Sequence, residues 1–238
     1  MSELHPNLWT STDHALEYLA RADRIPHRVE GERALLEWLP ARVARFIDLG
    51  SGDGRLAALV RSAHPNAQLV ALDFSTPMLQ RLHERFGHDP AVTILAHSLD
   101  DPLPDLGTFD AVVSSFAIHH VSHERKRELY GEILHLLTPG GVFCNLEHVA
   151  SPTPALHVRF LGELGIGPEE EDASNQLLDV ETQLKWMREI GYDDVDCTWK
   201  WMELALLVAT KSNPEHGTWN LEPRTELEHE PRTVHREA

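Results

Sequence analysis

The run Asp48-Leu49-Gly50-Ser51-Gly52-Asp53-Gly54 sets three glycines between a short apolar strand, Phe46-Ile47-Asp48-Leu49, and the start of a helix. Glycines at that junction bring backbone N–H groups close to a ligand at the mouth of a sheet. The spacing is G-x-G-x-G. A dinucleotide site asks for G-x-G-x-x-G, and the third glycine position of that pattern is here Arg55. Asp48 and Asp53 are awkward neighbours for a pyrophosphate and acceptable ones for a cationic ligand. Asp73 closes the next apolar run 25 residues after Asp48, where a carboxylate can accept both hydroxyls of a ribose.

A second chemical signal is His119-His120, which follows the strand-like run Phe109–Ser114. It falls at the carboxyl edge of a sheet, where ligands of α/β proteins bind. An imidazole there can act as a base near neutral pH. His119 is the first candidate for contact with a substrate and His120 the second. The competing reading is a hydrogen bond that fixes the loop. Glu147 and His148 end the next strand and are secondary candidates. His119-x-x-x-His123 has the spacing of a zinc pair, but it lacks the glutamate of H-E-x-x-H and straddles a helix start, so no metal is expected.

These residues need a scaffold, and the chain supplies an alternating one. From Arg45 to Lys211 strand-like and helix-like segments follow each other, as in an α/β sheet. Strands are expected at Phe46–Leu49, Leu69–Leu72, Val92–Ala96, Phe109–Ser114 and Val142–Leu146, with an antiparallel pair near Val195–Trp201 and Leu204–Ala209. Leu56, Leu59, Val60 and Ala63 recur at helical spacing after the glycine loop. Thr76 reads as an N-cap with Pro77 at the first helical position, Ser122 as an N-cap, and Thr138-Pro139-Gly140-Gly141 as a sharp helix break. The expected fold is a seven-stranded, mostly parallel, doubly wound sheet with a C-terminal antiparallel strand. A helical segment over residues 1–40 and a helical insertion over about 150–190 complete it, and 212–238 reads as a solvated or disordered tail.

With these motifs in order, residues 42–211 resemble the class I S-adenosylmethionine-dependent methyltransferases. Phe46–Gly54 looks like that family's first motif and Val70–Leu79 like its second. Phe109–His120 resembles the fourth-strand motif, and Leu137–Phe143 the turn before strand five. The resemblance implies S-adenosylmethionine as cofactor, with Gly50, Ser51, Gly52 and Gly54 around its methionine part and Asp48 near its ammonium. It implies Asp73 on the ribose and Phe74 against the adenine, with Ser114 and Leu99 also among the cofactor residues. Family members carry an acid just past strand three; here Ser98 stands at that position, with Asp100 two residues on. Tyr18, in the N-terminal segment, is expected near the cofactor carboxylate.

Composition narrows the acceptor. Thirty-eight Asp+Glu against 21 Lys+Arg give a net charge of −17, which disfavours extended contact with nucleic acid or an anionic membrane. The one basic cluster, Arg125-Lys126-Arg127, reads as a solvated helix face. Residues 163–196 hold eleven acids and two bases, so the acidity concentrates in and beside the insertion. No apolar run has the length to span a bilayer, the N-terminus has no secretion pattern, and Cys144 and Cys197 cannot form a disulfide framework. Together with these features, the resemblance implies a cytoplasmic enzyme that methylates oxygen or nitrogen of a small molecule. A tRNA or protein acceptor, or a cofactor-binding protein without catalysis, is the alternative.

Overall fold

A computed structural model describes residues 25–214. Its elements run in the order α1 (Arg28–Glu37), β1 (Arg45–Leu49), α2 (Arg55–Ala63), β2 (Gln68–Asp73), α3 (Thr76–Phe86), β3 (Val92–Ala96) and β4 (Phe109–Ser115). A 3-10 turn at Ile118–His120 follows, then α4 (His123–Leu136), β5 (Leu137–His148), α5 (Pro154–Leu164), α6 (Val180–Ile190), β6 (Asp193–Trp201) and β7 (Leu204–Thr210). The seven strands form one sheet in the order β3-β2-β1-β4-β5-β7-β6. The first five pair in parallel, and β7 runs antiparallel to both β5 and β6. The seven-stranded α/β architecture expected from the sequence is therefore present.

Alternation along each strand builds a core on both faces. Phe46, Leu69, Ala71, Ala111, Val113 and Leu146 pack with Leu35 of α1 and Leu39 just beyond it, Leu56 and Val60 of α2, and Phe160 and Leu161 of α5. Ile47, Leu49, Val70, Val112 and Phe143 pack on the other face with Leu129, Tyr130 and Ile133 of α4 and Leu184 and Met187 of α6. Helix α1 approaches the sheet closely at Gly31, where an added Cβ would lie 2.8 Å from the Leu146 side chain and 3.0 Å from Trp199.

Three readings change. The Thr138–Gly141 run does not stand outside the sheet. It forms the first half of β5, which pairs Leu137 with Phe109 and then shifts register before Val142 meets Ala111. The cap before α3 is Ser75, with Thr76 already helical. The basic triplet is not a solvated face, because Arg125 and Lys126 are buried and Arg127 alone is exposed. Arg125 bonds the Leu99 and Asp101 carbonyls and Glu132, and the Lys126 ammonium donates to the Val121 and Gln176 carbonyls. Of the expected N-terminal cap only α1 falls within the described residues, and residues 215–238 of the expected tail lie outside them. No helix among the described residues is long and apolar enough to cross a membrane.

Candidate active site

The carboxyl ends of β1, β2 and β4 meet at one level, since Leu49 pairs with both Leu72 and Ser114. The chain leaves all three strands there, which opens a cleft with about 860 Å³ of empty space, its open mouth included. The glycine loop forms one wall. Gly50 (φ 67°) has no room for a side chain, because a Cβ would meet that of Ala117 at 2.3 Å. Gly52 (φ 56°) faces open space instead. Asp73 at the end of β2 holds the loop in place. One carboxylate oxygen accepts the Gly52 amide at 2.8 Å and the other the Ser75 amide at 2.8 Å. Burial raises the pKa of Asp73, and these backbone bonds partly oppose the shift.

Asp48 lies beneath the loop. It is 1 % exposed, and neither carboxylate oxygen has a hydrogen-bond partner of normal geometry among the described residues. The Ser51 hydroxyl beside it donates to the Asp48 backbone carbonyl. Burial, followed by repulsion from Asp73, pushes the Asp48 carboxyl up to about 7. A buried acid in that state favours a cationic ligand, which would restore its charge.

Phe74, Ser98 and Leu99 line the cleft farther along, with Met78, His97 and Asp100. The Asp100 amide donates to the Ser98 hydroxyl at 3.2 Å, so both positions left open for the missing acid stand on the same wall. Across from the glycine loop, Phe116 adopts a left-handed backbone (φ 52°), which is strained for an aromatic residue and concentrates at functional sites. Its ring lies 5.3 Å from the Arg28 guanidinium. Arg28 and Arg55 both line the cleft and share the buried Glu32, at 2.9 and 2.6 Å.

The two histidines sit at different depths. His120 lines the cleft, whereas His119 is buried behind it with Nδ1 2.6 Å from Glu147. Their ring centroids lie 4.0 Å apart with the planes tilted by 44°. Burial lowers the pKa of both, His148 adding to the effect at His119 and His119 at His120. The order favoured by the sequence is thus reversed at the wall. Glu147 accepts the His148 amide as well as bonding His119, so it serves loop geometry, and neither it nor His148 lines the cleft.

Of the residues expected to hold cofactor, Asp48, Gly50, Ser51, Gly52, Asp73, Phe74, Ser98 and Leu99 surround this one cleft. Gly54 does not reach it and caps α2. Ser114 points the other way and donates to the Leu49 carbonyl at 2.8 Å, while its neighbour Ser115 lines the wall. Tyr18 lies outside the described residues. Arg28, Arg55, His97, Phe116 and Val121 also line the cleft and were not expected on the cofactor. Arg28-x-x-x-Glu32 was legible as a helical ion pair, but nothing local ties it to the glycine loop.

A methyltransferase domain profile matches residues 46–141. A demethylmenaquinone methyltransferase of Clavibacter sepedonicus is 30% identical over 173 residues, covering 66% of this chain and 69% of that protein. The chain belongs to the class I S-adenosylmethionine-dependent methyltransferases. An uncharacterized methyltransferase of Mycobacterium tuberculosis is 37% identical over 124 residues, covering 52% of this chain and 59% of the relative. The match thus spans well under two thirds of that relative's length. In fold the chain is similar to human N-acetylserotonin methyltransferase in complex with its cofactor (TM-score 0.65, 18% identity, 89% of this chain and 60% of that one).

The cofactor of this methyltransferase chain is S-adenosylmethionine, and the residues present fit it. The buried, unpartnered Asp48 suits a cation. Asp73 keeps acceptor capacity beyond its two amides, since a carboxylate offers about four lone-pair sites. Gly52 leaves the loop surface open where a side chain would stand.

Proposed function

We propose that this chain transfers a methyl group from S-adenosylmethionine to an oxygen or nitrogen of a small molecule held beside His120. The observation that carries the reading is a single cleft in which an unpartnered Asp48, a bare glycine loop and a histidine held neutral face one another. Bound cofactor supplies an electrophilic methyl group on a sulfonium. The protein must then hold both partners in line and manage one proton.

In this reading Asp48 faces the ammonium of the cofactor, and the Gly50–Gly52 backbone lies along its methionine part. Arg28 and Arg55 line the same cleft and both bond Glu32, so guanidinium groups stand where they can meet the cofactor carboxylate. The remaining acceptor sites of Asp73 take the ribose hydroxyls, and Phe74, Ser98 and Leu99 border the adenine. His120, neutral at pH 7, receives the proton that an O–H or N–H acceptor gives up.

A small acceptor fits better than a polyanion. Arg125 and Lys126 are spent on internal carbonyls and Glu132, which leaves no basic face on α4. Most acids of the 163–196 segment are exposed, and Glu171 and Asp172 are half-buried against histidines. That charge therefore says little about the acceptor.

The test is incubation of the protein with methyl-labelled cofactor and separate pools of metabolites, tRNA and protein. Label entering the metabolite pool is expected. Label confined to tRNA or protein replaces the acceptor class, and no transfer in any pool leaves a cofactor-binding protein.

A further inference from the structure

The insertion between β5 and α6 touches His120, a residue of the cleft wall, through the Ser174 side chain. Ser174, 9 % exposed, places its hydroxyl 2.9 Å from Nδ1 of His120. The same hydroxyl lies 2.7 Å from Oδ1 of Asp172, which also accepts the Ser174 amide at 2.8 Å. A carboxylate can only accept, and a hydroxyl has one proton. That proton goes to Asp172, so the Ser174 oxygen offers a lone pair to the imidazole. Nδ1 of a neutral His120 must therefore carry the ring proton, and Nε2 the lone pair.

The segment that delivers Ser174 is fastened on both sides of the histidines. The Gln176 amide donates to the His119 carbonyl at 2.7 Å, and Lys126 bridges the Val121 and Gln176 carbonyls at 2.7 and 2.5 Å. His123 Nε2 meets the Leu177 carbonyl at 3.1 Å, and the Ala150 amide donates to the Leu178 carbonyl at 3.1 Å. Ser174 is thus held against His120 by four independent contacts of its own strand of chain. Burial and His119 lower the pKa of His120, while Asp172 and a hydrogen bond to the Ser174 backbone oppose that shift.

Resting on the reading above, we propose that Ser174 and Asp172 are positioning residues that hold His120 as the Nδ1–H tautomer, so that Nε2 receives the acceptor's proton. The acceptor's oxygen or nitrogen forms its bond to the methyl carbon, and the carbon–sulfur electron pair stays with the sulfur. The acceptor's proton moves to Nε2. The resulting imidazolium keeps its Nδ1–H on Ser174, and the Asp172 carboxylate offsets its charge. Histidines held this way by a second residue lose turnover when the wrong tautomer is allowed.

The test is long-range ¹H–¹⁵N correlation on the uniformly labelled full chain without cofactor, together with kcat and KM. Wild type is expected to show His120 with a protonated Nδ1 and a bare Nε2. Ser174→Ala should move the signal toward the Nε2–H form and lower kcat about 10- to 100-fold with KM changed less than about threefold, and Ser174→Thr should restore both. A wild-type His120 protonated on Nε2, or a Ser174→Ala chain that keeps the Nδ1–H form, overturns the proposal. If Ser174→Ala does not fold, Ser174→Thr against Asp172→Asn gives the same reading, because only the latter removes the obligate acceptor. The tautomer is read without turnover. Failure of all three acceptor pools in the wild type therefore rejects the methyl-transfer reading by a different measurement.

Discussion

Asp73 holds Gly52: a carboxylate oxygen at the end of β2 accepts the loop amide at 2.8 Å, across 21 residues of chain. The same side chain therefore shapes the glycine loop and presents the acceptors that a ribose needs. Asp73→Ala removes both functions and should weaken S-adenosylmethionine binding by about 1–3 kcal/mol. Asp73→Asn keeps one of the two amide bonds but sets an NH2 donor against the other amide, and should fall between wild type and Asp73→Ala. Titration calorimetry checks the order. Unchanged affinity in Asp73→Ala removes this residue from the site.

Asp48 gives the site a pH dependence whose sign is fixed by its surroundings. Its folded pKa is raised from 3.8 to about 7 by burial and then by Asp73. Between those values the folded chain holds a proton that the unfolded chain has lost, so this group's contribution to stability declines as pH rises from about 4 to 7. A cationic ligand favours the charged form, so its binding should release a proton below pH 7 and weaken as pH falls. Asp48→Asn should abolish this proton release and raise the midpoint of thermal unfolding at pH 8. Calorimetry in buffers of different ionisation enthalpy measures the released proton, and its absence in the wild type rules out a charged partner for Asp48.

Strand positions were legible because burial on both faces leaves short apolar runs bounded by turns, as at Leu69–Leu72 within β2; the half-buried edge strand β3 also runs from Val92 to Ala96 as expected. The start of β5 was not. Thr138-Pro139-Gly140-Gly141 carries every local mark of a break, and only the partner strand, with its register shift opposite Phe109 and Ala111, admits it to the sheet. Arg125 and Lys126 failed for a related reason: the Leu99, Asp101 and Gln176 carbonyls that bury them come from other segments, which periodicity does not show. The glycine loop, Asp48 and Asp73 were readable because one strand–turn–helix unit and the next strand hold them all. Ser114 missed the cleft by the parity of a strand, in which adjacent residues face opposite sides. His119 and His120 share one 3-10 turn, so their depth depends on the insertion that packs over them.

His157 ties α5 to the buried Glu203 in the turn before β7. Its Nδ1 lies 3.0 Å from Glu203 and its Nε2 3.0 Å from Glu171, while His148 meets Glu203 at 2.9 Å. Burial lowers the His157 pKa, but the hydrogen bonds to Glu203 and then Glu171 outweigh it and the net shift is upward. The stabilisation is therefore complete below the unfolded value of about 6.5 and is lost as pH rises through the raised folded value. His157→Ala also leaves Glu203, 0 % exposed, short of a donor and should cost about 1–3 kcal/mol. Urea denaturation should show a larger wild-type advantage at pH 6 than at pH 9. An advantage that grows with pH would contradict the pairing.

Two glycines of one loop should fail differently when replaced by alanine. Both Gly50 and Gly52 have positive φ, so each substitution carries about 1–2 kcal/mol of backbone strain. Gly50→Ala adds a collision at 2.3 Å with the Ala117 Cβ, which sits between strained Phe116 and the histidine turn. That contact cannot relax without moving the wall, so loss of stability beyond the strain is expected, together with loss of cofactor binding. Gly52→Ala meets no atom within 4 Å, and its methyl group projects into the open space proposed for the cofactor. It should remain folded, within about 2 kcal/mol of wild type, yet bind S-adenosylmethionine poorly. Unfolding curves and calorimetry on the same two proteins separate the cases. A Gly52→Ala chain with full affinity would move the cofactor off this face of the loop.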